Sequence, residues 1–222
     1  MVQVNSDDDW AVRRQHMVDG QLRTCDVTDQ AVLAAFARIP RESFVAPSFA
    51  SLAYLDRDVP ALGADERLLL APMVLAKLIQ AANIRPGEKA LDVAGGSGYS
   101  ASILVSLGAH VVALESDEGA IAAAKILLGR QKSVEIVAGE LAESAPGGPF
   151  DVVLINGAFE RSPEKLLNQL APGGRLVGVD ASFNAAKAVF IEKIGGVVSR
   201  RVLFDAAAPK LRAFWRMPSF AF

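Results

Sequence analysis

The chain has 222 residues, 51% of them hydrophobic and 22% charged, with 18 glycines and 11 prolines. That composition excludes a disordered, collagen-like or low-complexity protein, and the length suits one domain with an extension. With 23 Lys and Arg against 25 Asp and Glu the net charge is −2, which argues against a dedicated nucleic-acid binder.

The acidic start, MVQVNSDDDW, holds no apolar signal core. Helical spacing is predicted over residues 8–23 and again over 28–39. In the second, Thr28 reads as the N-cap and Val32, Leu33, Phe36 and Ile39 share a face. Pro40 stops that helix. Residues 41–66 contain Pro47 and Pro60 and show no period, so they read as an ordered connection lying on the main domain. A helix returns over 71–82, and Arg85-Pro86-Gly87-Glu88 is a turn.

From residue 89 the pattern alternates. Apolar strands are predicted over 89–94, 110–115, 134–138, 150–156 and 175–179, with helices over 97–107 and 118–128. Ser162-Pro163 reads as an N-cap followed by proline at the first helical position, opening a helix to Leu170. Pro172-Gly173-Gly174 turns the chain into the strand that follows. Strands alternating with helices predict a parallel sheet covered on both faces. The end differs, because the β-like runs 188–194 and 197–204 flank Gly195-Gly196 as an antiparallel hairpin would. The fold class is α/β, a mostly parallel sheet with a C-terminal antiparallel hairpin and an N-terminal helical extension. The division expected is 1–85 for the extension, covering the site, and 86–222 for the main domain.

Little conventional catalytic equipment is present. Cys25 is the single cysteine, so no internal disulfide or Cys-rich zinc site forms, and it reads as an inert side chain. His16 and His110 lack a metal-ligand spacing, and no metal is expected. The richest apolar stretch, 68–84, is broken by Pro72, Lys77 and Gln80 and is too short to span a bilayer. A cytoplasmic protein without a membrane partner is the expectation.

The informative segment is Leu91-Asp92-Val93-Ala94-Gly95-Gly96-Ser97-Gly98-Tyr99, where a buried strand enters a glycine-rich turn that opens a helix. Such a turn lets a ligand approach the backbone closely. Glu115 ends the next strand, where an acid accepts hydrogen bonds from ribose hydroxyls. Two ligand classes fit. Gly96-x-Gly98-x-x-Ala101 formally matches a dinucleotide fingerprint, which would mean an NAD-linked oxidoreductase. Against this, the fingerprint lies behind a helical leader and the sheet ends in a hairpin. Asp92 beside the turn favours S-adenosyl-L-methionine, whose amino acid group and sulfonium welcome an acidic neighbour.

At these residues the chain resembles the class I S-adenosylmethionine-dependent methyltransferases, and more narrowly the protein-L-isoaspartate O-methyltransferase family. The leader segments Met17-Val-Asp-Gly-Gln21-Leu, Ile39-Pro-Arg-Glu-Ser-Phe-Val45 and Ala53-Tyr54-Leu-Asp56 look like that family's opening, and Gly96-Ser97-Gly98-Tyr99 like its G-S-G-Y. Phe150-Asp151-Val-Val-Leu-Ile155 and Leu170-Ala-Pro-Gly-Gly-Arg-Leu-Val177 resemble its later strands. The resemblance covers nearly the whole chain and implies a Rossmann-like domain that leaves S-adenosyl-L-homocysteine as product. It implies that Asp92, Ala94, Gly96, Ser97, Gly98, Glu115, Ser116, Glu140 and Asn156 border the cofactor. Glu140 would meet the adenine amino group and Asn156 the floor of the site. The acceptor implied is a carboxylate of isoaspartyl residues in damaged proteins, so the partner is a protein or peptide and the chain a monomer or homodimer.

Such an acceptor is already ionised at neutral pH, so the enzyme needs no general base. Positioning alone supplies on the order of 7–11 kcal/mol. Three places depart from the family pattern. The substrate-side run Leu70-Ala71-Pro72-Met73 carries Leu70 where the family has a serine, and the catalytic assignment stays open there. A leucine cannot hydrogen-bond a carboxylate, a loss of about 1–3 kcal/mol. Ala94 stands at the first glycine position, which costs roughly 1–2 kcal/mol if φ is positive there, although Gly95 next to it can shift the turn. Phe204-Asp-Ala-Ala replaces the family's closing Phe-Val-Pro-Leu. These departures support a second reading, in which the fold is kept but the chain serves as a binding module or acts on another acceptor.

Overall fold

In the computed structural model, which describes residues 6–216, the leader is built around long-range contacts. The helix expected over 8–23 is observed as α1 (Ser6–Met17), followed by a wider turn, Val18–Leu22, and a tight one, Arg23–Cys25, ended by Asp26 at φ +66°. The wide turn keeps both Val18 and Leu22 buried. In α2 (Gln30–Arg38) the N-cap is Asp29, not Thr28. Its Oδ1 accepts from the amides of Ala31 at 2.8 Å and Val32 at 3.2 Å, while the Thr28 amide donates to Gln80.

Residues 41–66 are more ordered than a connection without period suggests. They hold two 3₁₀ segments, Arg41–Phe44 and Pro47–Leu52, and the first strand of a short hairpin, β1 (Val59–Pro60) against β2 (Leu68–Leu69). Arg41 organises this region from complete burial. Its guanidinium donates to the carbonyls of Ala53 and Leu70, each at 2.8 Å, and lies 4.9 Å from the centroid of the Tyr99 ring. Then α3 (Pro72–Ala82) begins with proline in its first turn and ends at Asn83 in the left-handed conformation.

The main sheet has seven strands: β3 (Lys89–Val93), β4 (His110–Glu115), β5 (Val134–Ala138), β6 (Phe150–Phe159), β7 (Leu170–Asp180), β8 (Lys187–Ile194) and β9 (Val197–Asp205). Their order is β5-β4-β3-β6-β7-β8-β9, the first five mutually parallel and the last two antiparallel. This is the expected α/β class with its C-terminal hairpin. Helices α4 (Tyr99–Ser106), α5 (Glu118–Leu128) and α6 (Glu164–Asn168) complete the fold.

Three boundaries differ from expectation, and in the first β6 runs past Asn156 to Phe159. The helix after Ser162 is only α6, with Pro163 itself at the N-cap and no side chain capping it. The turn at 172–174 lies inside β7 as a bulge, since the pairing steps from Phe150↔Leu170 to Val152↔Arg175.

Alternate residues of the sheet feed two cores. Val152, Leu154, Val177 and Val179 pack with leader residues Met17, Phe36, Leu70, Leu75 and Leu78. Val153, Ile155 and Leu176 face Leu166 of α6 and Leu211 and Phe214 near the C-terminus. The leader therefore shares one core with the sheet. Among the described residues no helix is long and apolar enough to cross a membrane.

Candidate functional site

β3 lies between β4 and β6, so the chain leaves the sheet in opposite directions from its centre. A crevice at the C-terminal ends of the strands is the usual ligand site of such sheets. The turn after β3 fills it with left-handed backbone: Ala94 has φ +59°, Gly96 +62° and Gly98 +97°. A Cβ on Gly98 would lie 2.4 Å from Leu128 Cδ1, so only glycine lets α5 press this close. Gly95 does not relieve Ala94. It lies directly over Asp92, where a Cβ would come within 2.3 Å of Oδ2.

Asp92 is completely buried beneath the turn. Ser100 Oγ donates to its Oδ2 at 2.7 Å, and Asn156 Nδ2 donates to its Oδ1 at 2.7 Å and to the Val93 carbonyl at 3.1 Å. Burial pushes the Asp92 carboxyl up to about 6, against the hydrogen bonds from Ser100 and Asn156 and with help from the nearby Glu115 charge. Asp92 and Asn156 thus brace the turn from below. Ser97 is buried as well, its hydroxyl donating to the Phe44 carbonyl at 2.6 Å and tying the turn to the leader.

Glu115 ends β4 beside the turn and is 3% exposed. Its Oε2 accepts from the Gly96 amide at 3.0 Å, and its Oε1 from the amides of Ser116 at 2.8 Å and Asp117 at 3.1 Å. Arg67 is a partner that no local spacing in the sequence announces. Its Nε lies 3.1 Å and 3.0 Å from the two carboxylate oxygens, and its Nη2 donates to Oε1 at 2.8 Å.

Beyond Glu115 opens a cleft of about 660 Å³ whose walls include Ser116, Glu140, Leu141, Lys210, Arg212 and Trp215. The last three arrive on the C-terminal segment, which pairs with the end of β6. The Ala158 amide donates to Pro209, and the Leu211 amide to Ala158. In the run 70–73, Leu70 is 1% exposed and belongs to the leader core, and Pro72 is buried, while Ala71 and Met73 are half-buried. Asp58 and Asp56 accept the Ala71 and Met73 amides at 2.7 and 2.9 Å. Among the described residues no cluster could hold a metal ion.

The chemistry of these groups suits a nucleoside. Glu115 offers a carboxylate to vicinal hydroxyls, Glu140 an acceptor for an exocyclic amino group, and Leu141 and Trp215 apolar walls for a ring. Of the residues read from the sequence, Ser116 and Glu140 line this cleft, while Glu115 and Gly96 are buried beside it, behind Arg67. Asp92, Ser97 and Asn156 lie behind it. Arg67 and Trp215 were not anticipated, and neither belongs to a recognisable motif.

Comparison with known proteins gives a consistent result. The family described as Protein-L-isoaspartate(D-aspartate) O-methyltransferase matches residues 12–203. A protein-L-isoaspartate O-methyltransferase from Gloeobacter violaceus is 41% identical over 165 residues, covering 72% of this chain and 79% of that protein. One from Koribacter versatilis is 35% identical over 200 residues, covering 88% and 89%. A solved structure described as a candidate protein-L-isoaspartate O-methyltransferase from Plasmodium falciparum, in complex with S-adenosyl-L-homocysteine, shares the fold. Its TM-score is 0.77 at 20% identity, over 90% of this chain and 98% of that one.

Proposed function

The chain belongs to the protein-L-isoaspartate O-methyltransferase family, and we propose that it transfers a methyl group from S-adenosyl-L-methionine to a carboxylate of isoaspartyl residues in damaged proteins. The observation that carries this reading is the left-handed turn from Ala94 to Gly98 set against the strand-end carboxylate Glu115. When bound, S-adenosyl-L-methionine supplies an electrophilic methyl group on a sulfonium. Glu115 and Ser116 would hold the ribose end, Glu140 with Leu141 the adenine end, and the backbone of Gly96 the amino acid end. Asp92 and Asn156 keep the turn rigid. No residue need remove a proton, because the acceptor carboxylate is ionised near pH 7. What remains for the chain is to align the oxygen with the methyl–sulfur bond and to exclude water. The leader, 1–85, would cover the catalytic domain, 86–222, and present residues 70–73 to the acceptor.

The test is methyl transfer from radiolabelled S-adenosyl-L-methionine to an isoaspartyl peptide, with the aspartyl peptide as control. Label on the isoaspartyl peptide alone is expected. Background label with cofactor bound would sink the isoaspartyl assignment.

A second reading is favoured by Leu70, whose side chain is packed in the core where the family has a serine. On that reading the chain keeps the fold and acts as a binding module or on another acceptor. We read the protein as cytoplasmic, independent of nucleic acid, and monomeric or homodimeric. A homodimer would form through the leader or through Phe220-Ala-Phe222, the second lying outside the described residues.

A further inference from the structure

The hairpin β1–β2 is a strap laid across the nucleoside site, and three separate contacts seat it there. The first is packing on the turn. A Cβ on Gly96 would come within 2.9 Å of Ala61 Cβ and 3.1 Å of Arg67 Cγ, so strap atoms already cover the face of the turn. The second is docking on α5. A Cβ on Gly119 would lie 1.9 Å from the Gly63 carbonyl, and the Asp65 amide donates to Asp117 Oδ2 at 3.1 Å. Only the bare backbones of two glycines allow that approach. The same Asp117 caps α5 through its other oxygen, which accepts the Ala120 amide at 2.9 Å.

The third contact is chemical. A carboxylate offers about four lone-pair sites. Glu115 accepts from five donors, the amides of Gly96, Ser116 and Asp117 and the Nε and Nη2 of Arg67, so no lone pair is left free. The pair is shielded, with side-chain exposures of 14% for Arg67 and 4% for Glu115, so water screens it little. Vicinal ribose hydroxyls need the same two oxygens. Arg67 and the ribose therefore cannot hold Glu115 together.

We propose that Arg67 is a built-in competitor for the ribose, so that the strap guards the carboxylate and cofactor binds only when the guanidinium leaves. This rests on the methyltransferase reading above and adds a gate to the same site. Little need move. The strap tip at Gly63, Asp65 and Glu66 is exposed, while its base is held by the antiparallel pairing of Val59 with Leu69 and Pro60 with Leu68. A site that is competent only a fraction of the time shows an affinity lowered by that fraction. An Arg67–Glu115 pair formed most of the time then weakens nucleoside binding, and the released strap would close over bound cofactor with its Arg67 turned elsewhere.

The experiment is calorimetric titration of the full chain with S-adenosyl-L-homocysteine, in wild type, Arg67→Met, and Arg67→Met with Glu115→Gln. Circular dichroism melts check folding, and Arg67→Gln is the replacement if Arg67→Met fails to fold. The expected result is binding roughly 10- to 100-fold tighter in Arg67→Met than in wild type, with the gain lost when Glu115→Gln is added. Equal or weaker binding by Arg67→Met than by wild type would overturn the gate and leave the cofactor reading standing. Failure of both to bind would overturn both, since removing the guard would then have uncovered nothing. A gain that survives Glu115→Gln would also overturn it, because the competition would not be for that carboxylate.

Discussion

The floor of the site and its cover both set a buried carboxylate against hydrogen-bond donors, with opposite consequences. In the floor, Asp92 is held by Ser100 and Asn156, all on elements of one parallel sheet and the helix that follows it. In the cover, Glu115 is shared between three backbone amides of its own neighbourhood and a guanidinium brought from the leader. The floor donors are short side chains buried with the acid, Ser100 at 2% and Asn156 at 4% exposure, with little room to turn. The cover donor can leave by turning one long side chain. The contrast teaches that rigidity here follows from who owns the donor, not from how deeply the acid is buried.

Breaking each side of the Glu115 pair gives the largest expected effect. Glu115→Ala strands a shielded guanidinium and uncaps three amides, and should cost about 3–5 kcal/mol of folding stability. Arg67→Met leaves Glu115 with its three amides and should cost only about 1–2 kcal/mol. Urea denaturation of both variants measures the difference. Equal costs would mean that the strap, and not the strand end, organises the carboxylate.

The Asp92 network gives the next largest effect, through pH. Its folded-state carboxyl titrates near 6, above the ordinary value of 3.8, because burial penalises the charge. Between those values the folded chain binds more protons than the unfolded one, so stability from this group is full below about pH 4 and is lost as pH rises through about 6. Asp92→Asn retains an acceptor for Asn156 and a donor for Ser100 but cannot titrate. The stability of wild type relative to Asp92→Asn should fall by about 3 kcal/mol from about pH 4 to pH 7. A flat difference would show that the floor is wetter and softer than its geometry implies.

The same contrast decides what could be read from the sequence. The alternation of strands and helices, the glycine turn and the strand end at Glu115 were legible because each follows from spacing within one or two elements. The hairpin at Gly195-Gly196 was legible for the same reason. Arg67 was not, since its partner lies 48 residues away and its own surroundings, two acids and a leucine run, suggest only a solvated charge. Arg41 hid equally well, a buried arginine whose partners are carbonyls 12 and 29 residues distant. Trp215 reaches the cleft only because the C-terminal segment pairs with Ala158, a contact with no periodic signature. At the α2 cap the sequence pointed to Thr28, but the Asp29 carboxylate accepts two amides of the first turn and caps the helix instead. The departures at Leu70 and Ala94 were visible as letters. Their meaning required the structure, which buries the first in the leader core and gives the second a left-handed backbone.

Ala94 gives the smallest effect and the finest probe of the floor. Its φ of +59° costs an L-residue roughly 1–2 kcal/mol. The conformation persists because the Ala94 amide donates to Leu114 at 2.9 Å on one side, while Gly95 is clamped over Asp92 on the other. Ala94→Gly removes the strain but gives up a buried methyl group and loosens the unfolded chain, which returns part of the gain. The net expectation is a stabilisation of about 0.5–1 kcal/mol, read as a rise in the urea midpoint at constant slope. A floor that could adapt would already have relaxed the alanine, and the substitution would then destabilise by the lost methyl alone. The sign of this small change therefore reports whether the turn is held from below, as Asp92 and Asn156 imply, or merely rests against the strap above it.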